Sequence, residues 1–366
     1  MTMKTIKEIF QAFGPEYMTR FGGAMPGDHR KVIDAIINCR TDHYGAILYT
    51  CEKCGQPHVV YRSCGNRHCP NCQHHKARQW LDKQIKRQLP GHHFMITFTV
   101  PQQIRRFIRS NQRLCYSALF GASSDTMKKL ANDPKYIGGD IPGFFGVLHT
   151  WGRQLQYHPH IHYIVPGGAL SKEDHKWHPS RIDFYLPVKA MSIIFKAKFK
   201  DYMKKNNLFA QIPSQVWEQG FNVNCQAVGS SEPSIKYLAP YVFKIAISDY
   251  RIINVQKRRV SFKYKESKSN HWRKMSLNVM EFMRRYLQHV LPTGFMKIRY
   301  YGFLNPNCAV SLKKISALIQ LAFGSLFKVP ITEIKPLKSP TCPHCGGNLL
   351  YRASILAFRV LPAGDG

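Results

Sequence analysis

The chain has 366 residues, room for two or three domains, and with 44% hydrophobic residues it can build real cores, which excludes a wholly disordered protein. Lys and Arg number 53 against 21 Asp and Glu, a formal net charge of +32 that repels itself unless an anionic partner offsets it. Nucleic acid is the first candidate for that partner, an anionic membrane surface the second, and a merely basic surface the plain alternative.

Residues 1 to about 40 read as two short helices, with Ile6, Ile9, Phe10 and Phe13 and then Val32, Ile33, Ile36 and Ile37 at helical spacing. A cysteine- and histidine-rich module follows to about residue 78, then a polar helix from Gln79 to Leu89 that stops at Pro90-Gly91. Phe94 to Val100 is β-branched and aromatic and is expected to be a buried strand. Gln102 to Leu130 reads as helix. Phe144 to Trp151 and His158 to Val165 read as two strands, and the polar turn between them predicts an antiparallel pair. Val188 to Asn206 is a basic helix, Asn222 to Val228 a strand, and Ser234 to Ile247 a helix. Arg251 to Gln256 and Val260 to Lys265 form a predicted hairpin, and Asn278 to Leu291 an amphipathic helix. Strands and helices without strict βαβ repetition favour an α+β fold around an antiparallel sheet.

No run approaches the ~20 apolar residues of a membrane span. The opening Met1-Thr-Met-Lys-Thr-Ile-Lys7 lacks the apolar stretch and cleavage site of a secreted chain. A cytoplasmic, nucleoid-associated location is therefore expected, and the eleven cysteines are expected to be thiols or metal ligands rather than disulfides.

Cys51-Glu-Lys-Cys54 and Cys69-Pro-Asn-Cys72 are two C-x-x-C knuckles in a short segment. Four thiolates satisfy tetrahedral zinc, so these four cysteines are expected to share one structural Zn²⁺; Cys64, His58, His68, His74 and His75 lie close by, and read as surplus, as a substitute for one cysteine, or as ligands of a second metal. Lys53, Arg62, Arg67, Lys76 and Arg78 surround the knuckles and are candidates for phosphate contacts. Cys342-Pro-His-Cys345 is a third knuckle with no partner after it, either zinc-binding through His344 or a distant residue, or half of a decayed site. Cys39, Cys115, Cys225 and Cys308 stand alone and read as buried thiols.

His158-Pro-His160-Ile-His162 lies on the third predicted strand, over Tyr157 to Val165. Alternate residues share one face of a strand at intervals of roughly 6 to 7 Å, so His160 and His162 can converge on one cation while Ile161 and Tyr163 face the core. A third ligand is needed. His158, Gln154 and Gln156 are candidates on the same face, and a residue from a neighbouring strand is equally open. Two chemistries fit: a divalent cation that polarises a phosphate for a separate nucleophile, or a histidine nucleophile as in the histidine-triad nucleotide hydrolases. Tyr237-Leu-Ala-Pro-Tyr241 supplies a candidate nucleophile pair at i and i+4 of a predicted helix. Pro240 between them is expected to remove a hydrogen bond and bend that helix.

These pieces together resemble the two-tyrosine HUH transposases of rolling-circle insertion sequences, the insertion-sequence-ninety-one family. The resemblance runs over roughly residues 15 to 305. It is carried in order by Tyr61-Arg-Ser-Cys-Gly-Asn-Arg-His-Cys-Pro-Asn-Cys72, Phe94-Met-Ile-Thr-Phe-Thr-Val-Pro101, Trp151-Gly152 and Tyr157-His-Pro-His-Ile-His162. Val165-Pro-Gly-Gly168, Tyr237-Leu-Ala-Pro-Tyr241, Ala246-Ile-Ser248, Arg251-Ile252, Leu291-Pro292 and Ile298-Arg-Tyr-Tyr-Gly302 follow. It implies a relaxase-like HUH sheet flanked by helices and preceded by a small zinc-binding module. It implies cleavage and transfer of single-stranded DNA at element ends with Mg²⁺ or Mn²⁺, with no small-molecule substrate and no membrane partner. His160 and His162, with His158 as a possible third, map onto the metal ligands, and Tyr237 and Tyr241 onto nucleophiles that form a 5′-phosphotyrosine. The expected organisation is a helical and zinc-binding DNA-recognition domain over 1–90, a catalytic domain over 91–305 and a C-terminal region over 306–366. The alternatives are a non-catalytic zinc-ribbon DNA-binding protein and the histidine-triad hydrolase.

Overall fold

The structure is a computed structural model that describes residues 3–243, 246–266, 269, 271–324 and 340–357, apart from the side chains of Pro240, Tyr241 and Phe243. In chain order the first elements are helices α1 (Ile6–Phe21) and α2 (Gly27–Ile37), strands β1 (Ala46–Cys51) and β2 (Pro57–Tyr61), helix α3 (His74–Lys86) and strand β3 (His93–Thr99). Helices α4 (Arg105–Ser110) and α5 (Gln112–Ala131) lead to strands β4 (Phe144–Trp151), β5 (Tyr157–Pro166), β6 (Gly168–Leu170) and β7 (Trp177–Pro179). Helix α6 (Val188–Lys205), strand β8 (Asn222–Gly229) and helix α7 (Glu232–Phe243) come next. The chain continues through β9 (Ile252–Gln256), β10 (Arg259–Lys265), β11 (Trp272–Asn278), α8 (Val279–Leu287), β12 (Ile298–Tyr301), α9 (Leu312–Phe323) and β13 (Leu349–Ile355).

Two compact units divide the chain, and they cut across the linear division expected from the sequence. One joins Met1–Lys76, Phe243–Val290 and Glu333–Gly366; the other joins Ala77–Val242 and Leu291–Thr332. A linear reading assigns the third segment of the first unit to a separate tail because a strand's partner cannot be read from its own residues.

The second unit is built on a five-stranded antiparallel sheet in the order β12-β4-β5-β3-β8. This is the α+β arrangement expected. Phe94, Ile96 and Phe98 of β3, Phe144 and Leu148 of β4, and Ile161, Tyr163 and Val165 of β5 alternate onto one face. That face packs against Tyr116, Leu119, Phe120 and Met127 of α5 and Met191, Phe195, Phe199 and Met203 of α6. Each such side chain contributes on the order of 1.5–3 kcal/mol by leaving water. Gly146 interrupts β4 for a reason: a Cβ there would meet the Tyr163 ring at 2.4 Å, and that ring is fixed by a 2.7 Å hydrogen bond between its hydroxyl and Ser123.

In the first unit, α1 starts on a capping box, Thr5 accepting from the Glu8 amide and Glu8 accepting from the Thr5 amide. Helix α8 presents Val279, Phe282, Met283 and Tyr286 to the interior. Phe282 meets Phe262 of the β9-β10-β11 sheet, Tyr286 meets Phe10 of α1, and the Tyr286 hydroxyl donates to the His68 carbonyl at 2.8 Å. A second three-stranded sheet runs β13-β1-β2.

Several boundaries moved. The helix expected from Gln79 begins at His74. The long helix expected over 102–130 breaks at Asn111, whose φ of −122° and ψ of 44° leave the helical region. The helix expected over 234–247 runs Glu232–Phe243, through position 240. Strands β1, β2, β6, β7, β11, β12 and β13 and helix α9 were not anticipated. Among the described residues no helix is long and apolar enough to cross a membrane.

Candidate functional site

The sheet face of the second unit that points away from the α5–α6 core carries the histidines. β4 and β5 pair with His149 opposite His160, and β3 and β5 pair with Thr97 opposite His162. His149, His160 and His162 thereby offer three ring nitrogens within 4.8 Å of one another, a set able to hold one cation after small side-chain rotations. The third member comes from the neighbouring strand. His158, the candidate on the same strand, is not in that set; its ring centroid stands 5.0 Å from His160 and its carbonyl contacts the His160 ring.

Hydrogen bonding leaves the correct nitrogens available. Nδ1 of His160 donates to the His158 carbonyl at 2.6 Å, and Nδ1 of His162 pairs with the Thr97 hydroxyl at 2.8 Å. With Nδ1 engaged, Nε2 is the nitrogen each of these two imidazoles can offer as a ligand. Trp151 stacks on His149 at 4.8 Å and 15°, and Lys297 stands 4.8 Å over the Trp151 ring. Burial keeps all four imidazoles neutral over the physiological range. It lowers His160 to about 4, and burial with the neighbouring His160 lowers His158 to about 3. His149 and His162 lie well below their ordinary value for the same reason, reinforced by the other imidazoles. Neutral imidazole is the form that ligates a metal.

Tyr237 of α7 is half exposed, and its ring centroid lies 6.5 Å from that of His162. Ile235 of the same helix lines a small cavity with His93, Phe145 and Ile164, which seats α7 over the histidine-bearing face. Tyr241 follows one turn later on α7; its side chain and that of Pro240 lie outside the described residues. Arg105, at the start of α4, acts electrostatically on His158 and His160, and its Nε is buried without a hydrogen-bond partner.

The cysteines of the first unit correct the expected grouping. Cys51, Cys54, Cys69 and Cys72 do not converge on one point. Cys69 and Cys72 instead join Cys39 and Cys64, with Cys72 Sγ 3.4 Å from the sulfurs of both Cys39 and Cys64. Cys51 and Cys54 join Cys342 and Cys345. In each group all four sulfurs lie within 4.8 Å of one another. Zn–S bonds of about 2.3 Å place tetrahedral sulfurs about 3.8 Å apart, so both groups fit a tetrathiolate ion. Cys39 is buried as expected, but it is not solitary. Cys64 is the substitute ligand that the module's sequence left open, and Cys39 was missed because it lies outside any C-x-x-C spacing. Cys115, Cys225 and Cys308 belong to neither group.

Of the basic candidates around the knuckles, Lys53 and Lys76 are exposed, and Arg62, Arg67 and Arg78 are half-buried. Arg67 turns inward, its Nε donating to the His68 ring at 3.2 Å, and burial lowers its pKa.

Against known proteins, residues 143–311 match a family profile described as "Putative transposase", and residues 9–100 match one described as "Transposase zinc-binding domain". The "Putative transposase y4qJ" of Sinorhizobium fredii is 33% identical over 319 residues, covering 82% of this chain and 80% of that protein. The "Transposase for insertion sequence element IS801" of Pseudomonas savastanoi pv. phaseolicola is 26% identical over 360 residues, 90% of this chain and 85% of that protein. No solved structure matches the chain. The chain belongs to the transposase family of the insertion-sequence-ninety-one type, with an N-terminal zinc-binding domain. DNA is accordingly its partner, and the cysteine-rich module is its zinc-binding part.

Proposed function

We propose that this transposase nicks single-stranded DNA at element ends and transfers it through a covalent 5′-phosphotyrosine, in rolling-circle fashion. The observation that carries this reading is the convergence of His149, His160 and His162 on the sheet face beside Tyr237. His149, His160 and His162 would hold a divalent cation, Mg²⁺ or Mn²⁺, which when bound would polarise the scissile phosphate and offset charge that develops on it. Tyr237 Oη attacks phosphorus; the bond from phosphorus to the 3′ oxygen breaks, and that oxygen leaves as a free hydroxyl, taking up one proton for the one the phenol loses. The phosphotyrosine conserves the bond for rejoining. Tyr241, one turn along α7, serves the second cleavage or the transfer to target DNA. Arg105 and Lys297 supply positive charge beside the triad, where the phosphate's oxygens are placed.

Cys39, Cys64, Cys69 and Cys72 hold Zn²⁺ in the recognition module, and exposed Lys53 and Lys76 contact phosphates, with half-buried Arg62 and Arg78 as further candidates. Family membership favours this chemistry over the histidine-triad hydrolase, which has no use for a tyrosine or a zinc module.

The test is incubation of the full chain with labelled single-stranded DNA carrying an element end and Mn²⁺, followed by denaturing electrophoresis. A protein–DNA adduct lost in Tyr237→Phe/Tyr241→Phe, with DNA binding retained, is the expected result. Binding without an adduct under any divalent cation overturns the catalytic reading and leaves a DNA-binding protein.

A further inference from the structure

Cys342 and Cys345 lie beyond both matched family segments, which end at residues 100 and 311. We infer that Cys51, Cys54, Cys342 and Cys345 form a second tetrathiolate Zn²⁺ site that fastens the C-terminal segment Pro340–Ala357 to the N-terminal module.

Three independent observations carry it. The sulfurs are placed for one ion: Cys51 Sγ stands 3.4 Å from Cys345 Sγ, and Cys54 Sγ 3.8 Å from Cys342 Sγ. These are edges of a tetrahedron, far from the ~2.05 Å of a disulfide. The backbone is the second observation, because the two knuckles match hydrogen bond for hydrogen bond. Gly55 N–H donates to the Cys51 carbonyl at 3.0 Å, and Gly346 N–H to the Cys342 carbonyl at 2.9 Å. Cys51 N–H donates to the Gln56 carbonyl at 2.9 Å, and Cys342 N–H to the Gly347 carbonyl at 2.7 Å. Gly55 and Gly346 both take a left-handed φ, 72° and 70°. Paired knuckles of one geometry, each turning two thiols to the same point, are how tight turns supply zinc ligands. Gly347 is the third observation: a Cβ there would meet Cys51 Sγ at 3.0 Å, Cys345 Sγ at 3.4 Å and Lys53 Cβ at 2.7 Å. The residue is bare where the sulfurs need the room.

The surroundings complete the site. β13 follows the second knuckle and pairs antiparallel with β1, which ends in the first, so both knuckles sit at the same end of one sheet. The His58 ring on β2 brings Nε2 to 3.3 Å from Cys342 Sγ, where an imidazole N–H offsets thiolate charge without being a ligand. On binding, the four thiols release four protons to solvent, and Zn²⁺ with four thiolates leaves a net charge of −2. Zinc is favoured because a single tetrahedral S₄ set suits it and the sulfurs are too close to enclose a multi-iron cluster.

The experiment is zinc content per chain of the purified full-length protein, by elemental analysis, in wild type and in Cys342→Ser/Cys345→Ser. The expected result is one zinc fewer in the variant. Equal contents, or iron in place of zinc, overturn the site. Should the variant lose all zinc by misfolding, Gly347→Ala decides: it keeps every ligand but crowds Cys51. One zinc should then pass to a chelator at least several-fold faster than in wild type, and unchanged release overturns the proposal. Neither readout depends on DNA cleavage, so the catalytic reading and this one fail separately.

Discussion

His160 and His162 each have a hydrogen-bond partner on Nδ1, a carbonyl and a hydroxyl, and the Trp151 ring stacks on His149 and restrains its plane. His149 is thus as much a part of the site as the two histidines the sequence pattern exposes. His149→Ala and His160→Ala should each lower cation-dependent cleavage about 100-fold while DNA affinity at low salt is retained. Titration of cleavage rate against Mn²⁺ checks this, since loss of a ligand raises the cation concentration needed. Nearby His93 is fully buried on β3, and burial lowers it to about 4. The unfolded chain therefore binds a proton that the folded chain resists. The associated stability is complete above about pH 6.5 and is lost as pH falls toward about 4, on the order of 3 kcal/mol across the window. Denaturant midpoints that fall between pH 7 and pH 5 are expected, and a flat profile would contradict the assignment.

At the scale of elements, the β9–β10 hairpin turns through Lys257 and Arg258, both at positive φ (45° and 60°). Neither residue favours that region, and Asn at the first position of such a turn does. Lys257→Asn should stabilise the first unit by about 0.5 kcal/mol, read as a higher melting temperature; Arg258 is left in place because it pairs with Glu16 at 2.6 Å. The elements that were legible in the sequence are those with a periodic pattern of their own. β3, β4, β5, α6 and the β9–β10 hairpin fall within a residue or two of expectation because Phe94-Met-Ile-Thr-Phe and its kind alternate strongly. β2 and β13 were illegible: their side chains are mostly exposed, so no buried stripe marks them. His160 and His162 stood out by spacing along one strand, whereas His149 reaches them only through the β4–β5 register. The one available signal was that the turn between the two strands sets position 149 across from 160.

At the scale of the whole chain, the two compact units are each discontinuous in sequence, so zinc, sheet and helix contributions to the first arrive from three separated segments. Linear motif reading joined the two nearest C-x-x-C knuckles for that reason, and contact across nearly the full chain corrected it. The net charge of +32 gives the molecule its affinity for DNA, and that affinity should fall steeply with salt. Charge cannot distinguish binding from chemistry, and the proposed chemistry is assigned to α7 and the histidine-bearing sheet face. Mass spectrometry of the peptide containing Tyr237-Leu-Ala-Pro-Tyr241, after reaction with single-stranded DNA and nuclease trimming, tests that chemistry directly. A nucleotide joined through its 5′-phosphate to Tyr237 or Tyr241 is the predicted result; cleaved DNA with both tyrosines unmodified, or a phosphate carried on a histidine, would contradict it.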